Sequence, residues 1–168
     1  ENQLFRGNRT HKFNAEHFEA FKSVNYPILA EAGVYIKYNR NAIRKPNFKN
    51  LKLHKKLETN IGSIRLYPGI NNNLISAILN IDGLKGIVLE TFGNGNGPNH
   101  EWFIELLKRA IERGTIILNV TQCKGGSVEM GKYETSLKLK DIGVLNGFDI
   151  TYEAAMAKMM YLFGKPGL

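Results

Sequence analysis

The loop residues with the most evident chemistry stand at two places, 93–98 (GNGNGP) and 121–126 (TQCKGG). The first is the densest glycine cluster, but Pro98 stands where a dinucleotide-binding fingerprint needs its third glycine, and the Lys-Ser/Thr pair of a phosphate-binding loop is absent there. A hairpin turn is disfavoured because a helical apolar stripe, and not a strand, follows. Two interpretations remain open: a plain turn between a strand and a helix, or a turn that presents an asparagine amide to a ligand.

The chain holds one cysteine, Cys123, and no residue series that by itself completes a catalytic site. A reactive thiol needs a supporting histidine or carboxylate, and none stands near Cys123 in such a pattern, so an inert, half-buried thiol is favoured. One cysteine excludes an internal disulfide and fits a reducing compartment. Scattered histidines do not supply the closely spaced ligands of a zinc site, so no metal is expected. The four histidines of the chain are His11, His17, His54 and His100.

From residue 63 onward, stretches typical of strands alternate with stretches typical of helices. The strand candidates are 64–68, 86–92 and 115–120. Three helices are expected: one capped by Asn72 or Asn73, one over the apolar stripe 102–111, and one capped by Thr151 that runs to about Phe163. This alternation predicts an α/β fold, a small Rossmann-like domain with a mostly parallel sheet flanked by helices. Ligands of such sheets bind beyond the carboxyl ends of the strands, where both loops lie.

The positive charge is concentrated in one segment, 35–57, which contains no acidic residue. Its cations are Lys37, Arg40, Arg44, Lys45, Lys49, Lys52, Lys55 and Lys56. Removing these eight from the 23 basic residues leaves fifteen, which balance the fifteen acidic ones. The formal net charge of +8 therefore belongs to this segment alone. A solvated linker is favoured, with a phosphate-binding strip as the alternative, and nucleic acid is not expected as a partner.

Residues 1–36 are interpreted as the tail of a second α/β domain. Asn14 is predicted to cap a short helix that places Phe18 and Phe21 on one face. So few residues cannot bury their own aromatic side chains, and the chain opens on Glu1 rather than methionine, so we expect a fragment of a longer protein. The predicted domains are 1–36, a basic linker 37–60, and a C-terminal α/β domain 61–168. No apolar run reaches the ~18 residues of a membrane span, so no membrane partner is expected.

Five segments in the same order resemble the type I (cytoplasmic) L-asparaginases. They are RGNRT at 6–10, FKSVNYPILAEAG at 21–33, ETFGNGNGP at 90–98, NVTQC at 119–123 and GFDITYEAAMAK at 147–158. The resemblance implies a cytoplasmic amidohydrolase that converts L-asparagine to L-aspartate and ammonia without a cofactor, through a threonine nucleophile. The motifs of that nucleophile are not in this chain, so no catalytic residue is assigned here. The chain alone is expected to be inactive.

The resemblance also implies roles for individual residues. In the family, the second asparagine of GNGN reaches a neighbouring subunit's substrate, and here it is Asn96. Type II relatives add a glutamate from a later loop, for which Glu134 is a candidate. The family's allosteric asparagine site corresponds to Thr10, Thr121 and Cys123, while Glu90 stands where bacterial members have an arginine. Homodimers or tetramers formed through the C-terminal domain are implied as well.

Two alternatives to a free asparaginase stay open. The family includes the asparaginase-like subunit of a tRNA-dependent amidotransferase, whose partners are a second protein and tRNA. The basic segment suits that role, whereas RGNRT and TQC favour the free enzyme. The other alternative is a non-catalytic module that binds an effector or serves assembly.

Overall fold

The structure, a computed structural model, describes residues 2–47, 50 and 52–165 of the 168-residue chain. Lys49 of the basic segment lies outside the described residues. The chain divides into two compact units, Glu1–Leu53 and His54–Leu168. The two domain boundaries expected from the sequence, after residues 36 and 60, stay a prediction.

The first unit consists of short antiparallel strands. They are β1 (Gln3–Leu4), β2 (His11–Lys12), β3 (Phe21–Lys22), β4 (Ala30–Ala32) and β5 (Ile36–Tyr38). β4 lies between β1 and β5 in one sheet, and β2 pairs with β3 in another. Many of its large apolar side chains are exposed, Phe18 almost completely at 99%. The expectation that this segment cannot bury its own aromatic residues therefore agrees with the structure.

The prediction of a helix after Asn14 is wrong, because residues 14–20 form no helix. The Asn14 side-chain oxygen accepts the backbone N–H groups of Glu16 at 2.9 Å and His17 at 3.2 Å, which is how a helix cap begins. The chain then turns back instead of continuing as a helix, and Phe21 pairs with Lys12 across β2 and β3. The asparagine closes a local turn between two strands, a role that its side chain fills as readily as a cap.

The RGNRT stretch forms a short 3-10 helix, Gly7–Arg9. The Thr10 hydroxyl donates to the Arg6 carbonyl at 2.7 Å. The Arg6 guanidinium donates to the Ala42 carbonyl at 3.2 Å and lies 4.3 Å from the ring centre of Tyr26. The motif is therefore fixed within the first unit by backbone and cation–π contacts.

The second unit is built on a four-stranded parallel sheet in the order β6-β7-β8-β9. The strands are β6 (Ile61–Arg65), β7 (Gly86–Thr91), β8 (Ile116–Thr121) and β9 (Leu145–Asn146). Helices α1 (Asn72–Leu79), α2 (Glu101–Glu112), α3 (Glu134–Asp141) and α4 (Tyr152–Phe163) connect or follow them. The predicted α/β fold with a parallel sheet flanked by helices is confirmed.

Helices cover both faces of the sheet, so β7 is buried from either side. On one face the core contains Leu89, Phe103 and Leu107, each fully buried. On the other face Val88 and Val120 pack against Ala155 and other residues of α4. This double burial explains why β7 is a nearly continuous apolar run in the sequence rather than an alternating one.

Two helix starts show how local sequence places the elements. Thr151 caps α4 as expected, its hydroxyl accepting the Ala154 N–H at 3.1 Å. The cap of α1 is Asn71 and not Asn72 or Asn73, because the Asn71 side chain accepts the Leu74 N–H at 3.0 Å.

Within the described residues, no helix combines the length and apolarity needed to cross a bilayer.

Candidate functional site

Two loops meet at the carboxyl edge of the parallel sheet, one after β7 and one after β8. The Thr121 hydroxyl, at the end of β8, donates to the Gly93 carbonyl in the first loop. The Glu129 N–H in the second loop donates to the Asn94 carbonyl at 2.8 Å. The structure thus brings both glycine-rich segments of the sequence together at the edge where α/β sheets bind ligands.

The GNGN segment folds into a tight turn that closes on itself. Phe92 and Asn96 exchange two backbone hydrogen bonds, each 2.9 Å long. Gly95 within the turn has a φ of +113°, a region that glycine enters at little cost. The turn therefore leaves β7, reverses and projects Asn96 at the sheet edge before α2 begins.

A buried side-chain pair supports the turn from below. Asn119 on β8 is fully buried, and its side-chain N–H donates to the Gly95 carbonyl at 3.1 Å. Its side-chain oxygen accepts the hydroxyl of Thr91, also fully buried, at 2.6 Å. Because buried polar groups are costly when unpaired, this arrangement holds the turn in one position.

The Asn96 carboxamide is half-buried and held on both sides. Its N–H donates to the Asn94 side-chain oxygen at 2.9 Å, and its oxygen accepts the Thr135 hydroxyl at 3.0 Å. A carboxamide carries two N–H donors and two acceptor lone pairs, so these contacts use one of each. The amide retains one donor and one acceptor for a ligand.

Thr135 belongs to α3, an element that the sequence reasoning missed together with β9. The only apolar residues of α3 are Leu137 and Leu139, too few to form a recognisable stripe. Glu134, the candidate glutamate, is the first residue of this helix and pairs with Lys138 at 3.0 Å. Lys138 also donates to the Asn99 side chain at 2.8 Å, so α3 contacts the loop after β7 at two points.

The residues expected to bind an effector do not all lie in one unit. Thr10 is in the first unit, whereas Glu90, Thr121 and Cys123 are in the second. Glu90 pairs with Arg65 at 3.2 Å, and its side chain is 12% exposed. The Cys123 N–H donates to the Thr121 hydroxyl at 3.0 Å.

Cys123 is exposed, so the expectation of a half-buried thiol is wrong. It lies in the loop after β8. The Thr121 hydroxyl contacts the backbone N–H of Cys123 and not its thiol. Among the residues that the structure describes, no three of the His, Cys, Asp and Glu side chains gather as a metal site would require.

The fold and the two loops agree with a family assignment that covers most of the chain. The Glutaminase/Asparaginase C-terminal domain family matches residues 60–167, and the N-terminal asparaginase family matches residues 1–44. The chain therefore belongs to the glutaminase/asparaginase family.

Within this family the chain is similar to L-asparaginase I proteins. The crystal structure of L-asparaginase I from Vibrio cholerae superposes with a TM-score of 0.89 at 42% identity, covering 98% of this chain and 50% of that one. L-asparaginase 1 of Escherichia coli K12 is 37% identical over 98% of this chain and 48% of its own length. The expected resemblance is confirmed.

Two further relatives carry other names. The mouse 60 kDa lysophospholipase is 45% identical over all of this chain and 30% of its own length. A glutamyl-tRNA(Gln) amidotransferase subunit of Pyrococcus abyssi is 31% identical over 95% of this chain and 36% of its own length. This chain spans half or less of each of these relatives.

Proposed function

We propose that this chain is the C-terminal part of an L-asparaginase, which hydrolyses L-asparagine to L-aspartate and ammonia. The nucleophilic threonine and the groups that activate it lie outside this chain. The observation that carries the proposal is the GNGN turn, whose Asn96 carboxamide is fixed at the carboxyl edge of a sheet that superposes on L-asparaginase I.

In the proposed reaction the hydroxyl attacks the side-chain amide carbon, the C–N bond breaks and ammonia leaves. Water then releases the acyl group as the aspartate carboxylate. Hydrogen-bond donors around the tetrahedral intermediate stabilise its oxyanion. These steps use no cofactor, and we place the enzyme in the cytoplasm as its type I resemblance implies.

We assign Asn96 to the substrate of a neighbouring subunit in a homodimer or tetramer formed through the second unit. An α-amino acid presents an ammonium donor and carboxylate acceptors at the same end. The remaining acceptor and donor of the Asn96 amide match these two groups, and the amide is neutral at every pH of interest. A glutamate or an alanine could not offer both functions without charge.

We also propose that Glu90, Thr121 and Cys123 belong to an effector site for asparagine, and the assignment of Thr10 to it stays a prediction. Glu90 is the last residue but one of β7, Thr121 ends β8 and Cys123 follows it, so the three lie at or near the carboxyl edge. Glu90 is paired with Arg65, so an effector carboxylate would compete with Glu90 for that guanidinium. Because Glu90→Ala frees Arg65, it should lower the asparagine concentration at which cooperative kinetics reach half of the maximal rate, and hyperbolic kinetics in the wild type argue against the site.

The test of the main proposal uses the full-length protein that contains this chain. Asn96→Ala removes a hydrogen bond to a charged group, which contributes about 1.5–3 kcal/mol. We therefore expect kcat/KM for asparagine to fall about tenfold to a hundredfold. Asn73→Ala, at an exposed asparagine of α1, is the control and should keep wild-type kinetics. Ammonia release by the isolated 168-residue chain, or unchanged kinetics in Asn96→Ala, would contradict the proposal.

A mixing experiment tests the inter-subunit role. Subunits that lack the nucleophile are combined with Asn96→Ala subunits, both inactive or weak alone. If Asn96 serves the neighbour's site, mixed dimers contain one intact site and recover activity. No recovery, with mixed dimers demonstrated by mass spectrometry, places Asn96 in its own subunit's site.

The amidotransferase subunit is the second candidate, and the basic segment 35–57 is the observation that favours it. Binding of tRNA by the full-length protein that weakens steeply between low and physiological salt would support it. Release of fatty acid from a lysophospholipid, tested in parallel, would instead favour the activity in the name of the mouse relative.

A further inference from the structure

Helix α3 is a third structural element of the candidate site, beside the two loops at the sheet edge. Its first turn reaches the GNGN turn through Thr135, and its middle reaches Asn99 through Lys138. The helix is itself well fixed, because the Ser136 hydroxyl contacts the start of the helix and Leu139 is fully buried. A side chain on α3 therefore has a defined position relative to Asn96.

We propose that Thr135 is a positioning residue, which holds the Asn96 carboxamide in the orientation that receives the α-ammonium group of the substrate. This inference rests on the proposed function of Asn96. An asparagine side chain rotates about two bonds, and a free one must lose that freedom when a ligand binds. The contacts from Thr135 and Asn94 fix the amide before the ligand arrives.

The direction of the Thr135 contact matters for the ligand. The hydroxyl donates to the Asn96 oxygen at 3.0 Å, which occupies one lone pair and leaves the other as an acceptor. An ammonium group is a donor and needs such an acceptor, whereas a carboxylate does not. Loss of the hydroxyl should therefore weaken ligands that carry an ammonium group more than those that lack it.

The test compares Thr135→Val with Thr135→Ser in the full-length enzyme. Valine has nearly the shape of threonine but cannot donate, and serine keeps the hydroxyl. We expect Thr135→Val to raise KM for asparagine about threefold to tenfold with kcat changed less than about twofold. Thr135→Ser should stay within about twofold of the wild type. Thr115→Val, which removes a buried hydroxyl at the opposite end of β8, is the matched control and should leave KM unchanged.

A second readout separates positioning from a merely structural role. L-aspartate and succinate are compared as competitive inhibitors, since succinate is aspartate without its ammonium group. In Thr135→Val the inhibition constant of aspartate should rise about threefold to tenfold and that of succinate should rise less, because succinate keeps only the carboxylate that the Asn96 N–H faces. An equal rise for both, or no rise for either while Asn96→Ala raises that of aspartate, overturns the positioning role.

The two proposals fail in different ways. If Asn96→Ala leaves the inhibition constant of aspartate unchanged, the proposed role of Asn96 is wrong, whatever Thr135 does. If Thr135→Val does not fold by circular dichroism, Asn94→Ala removes the other contact to the amide and takes its place. It should raise KM by a similar factor, and an unchanged KM in that variant refutes fixation of the amide by its neighbours.

Discussion

Gly95→Ala should destabilise the protein far more than the neighbouring change Gly93→Ala. A Cβ on Gly95 would lie 2.7 Å from Val128 Cγ1 and 3.3 Å from the Asn119 side-chain nitrogen. Gly95 also has a φ of +113°, whereas Gly93 has a φ of +51° and nothing within 4 Å of an added Cβ. Both variants therefore carry the backbone cost of a positive φ, which is larger at Gly95 because its φ lies outside the left-handed region that alanine can enter, and only Gly95→Ala adds a steric cost.

The expected magnitudes follow from these distances. A left-handed conformation costs an alanine roughly 1–2 kcal/mol, and the smaller freedom of the unfolded alanine chain returns about 0.4–1 kcal/mol of that. Overpacking against buried Val128 adds about 1–3 kcal/mol. Gly95→Ala should thus lower the free energy of unfolding by about 1–4.6 kcal/mol, and Gly93→Ala by about 0–1.6 kcal/mol.

Urea unfolding followed by circular dichroism measures both values, and a double-mutant cycle identifies their cause. Val128→Ala alone leaves a small cavity and is destabilising. Combined with Gly95→Ala, it removes the methyl group that the new Cβ meets, so the pair should be about 1–2 kcal/mol more stable than additivity predicts. Equal effects of Gly95→Ala and Gly93→Ala, or strict additivity with Val128→Ala, would refute the steric explanation.

Two further predictions concern the same unit. Asn119→Leu leaves the Gly95 carbonyl without its side-chain donor and should lower the free energy of unfolding by about 2–4 kcal/mol in urea, whereas an effect below ~0.5 kcal/mol would show that the turn does not need it. The backbone N–H groups of Asn60 and then Thr59 hold the pKa of Glu58 below its ordinary value of 4.5, so this carboxylate stabilises the fold above that pH and the contribution disappears as the pH falls through the lowered value. The Tm of Glu58→Gln should accordingly be lower than that of the wild type at neutral pH and converge with it in acid, and a constant difference across this range would contradict the assignment.

Most of the second unit could be predicted because its elements have long, regular patterns. The apolar run of β7 and the stripe of α2 each mark a buried surface that only one type of element fits. The α3 helix escaped prediction because its sequence, ETSLKLKD, has little apolar periodicity: it buries one leucine and carries one charged pair, Glu134 with Lys138. β9 is two residues long, too short to leave any alternation.

The candidate site was predictable at the level of loops and not of contacts. Parallel strands place their carboxyl ends together, so the meeting of the two loops followed from topology. The contacts of Asn96 did not, because Asn94 and Thr135 are two and 39 positions away and nothing in the sequence links the latter to the turn. The error at Asn14 has a related cause: the same side-chain geometry begins a helix or closes a turn, and distant strand pairing decides between them.

Hydrogen bonds link the side chains of Thr91 and Asn119 and the backbone of Gly95, so substitutions at these positions depend on one another. The Asn119 amide bonds to a hydroxyl on β7 and to a carbonyl in the turn. An exchange at position 119 alone removes the side-chain donor to the Gly95 carbonyl and leaves the Thr91 hydroxyl only its longer contact to the Val120 carbonyl, at 3.3 Å. We expect substitutions at positions 91 and 119 to occur together in alignments of divergent members of the family. The turn at the sheet edge is therefore expected to change as slowly in evolution as the buried residues beneath it.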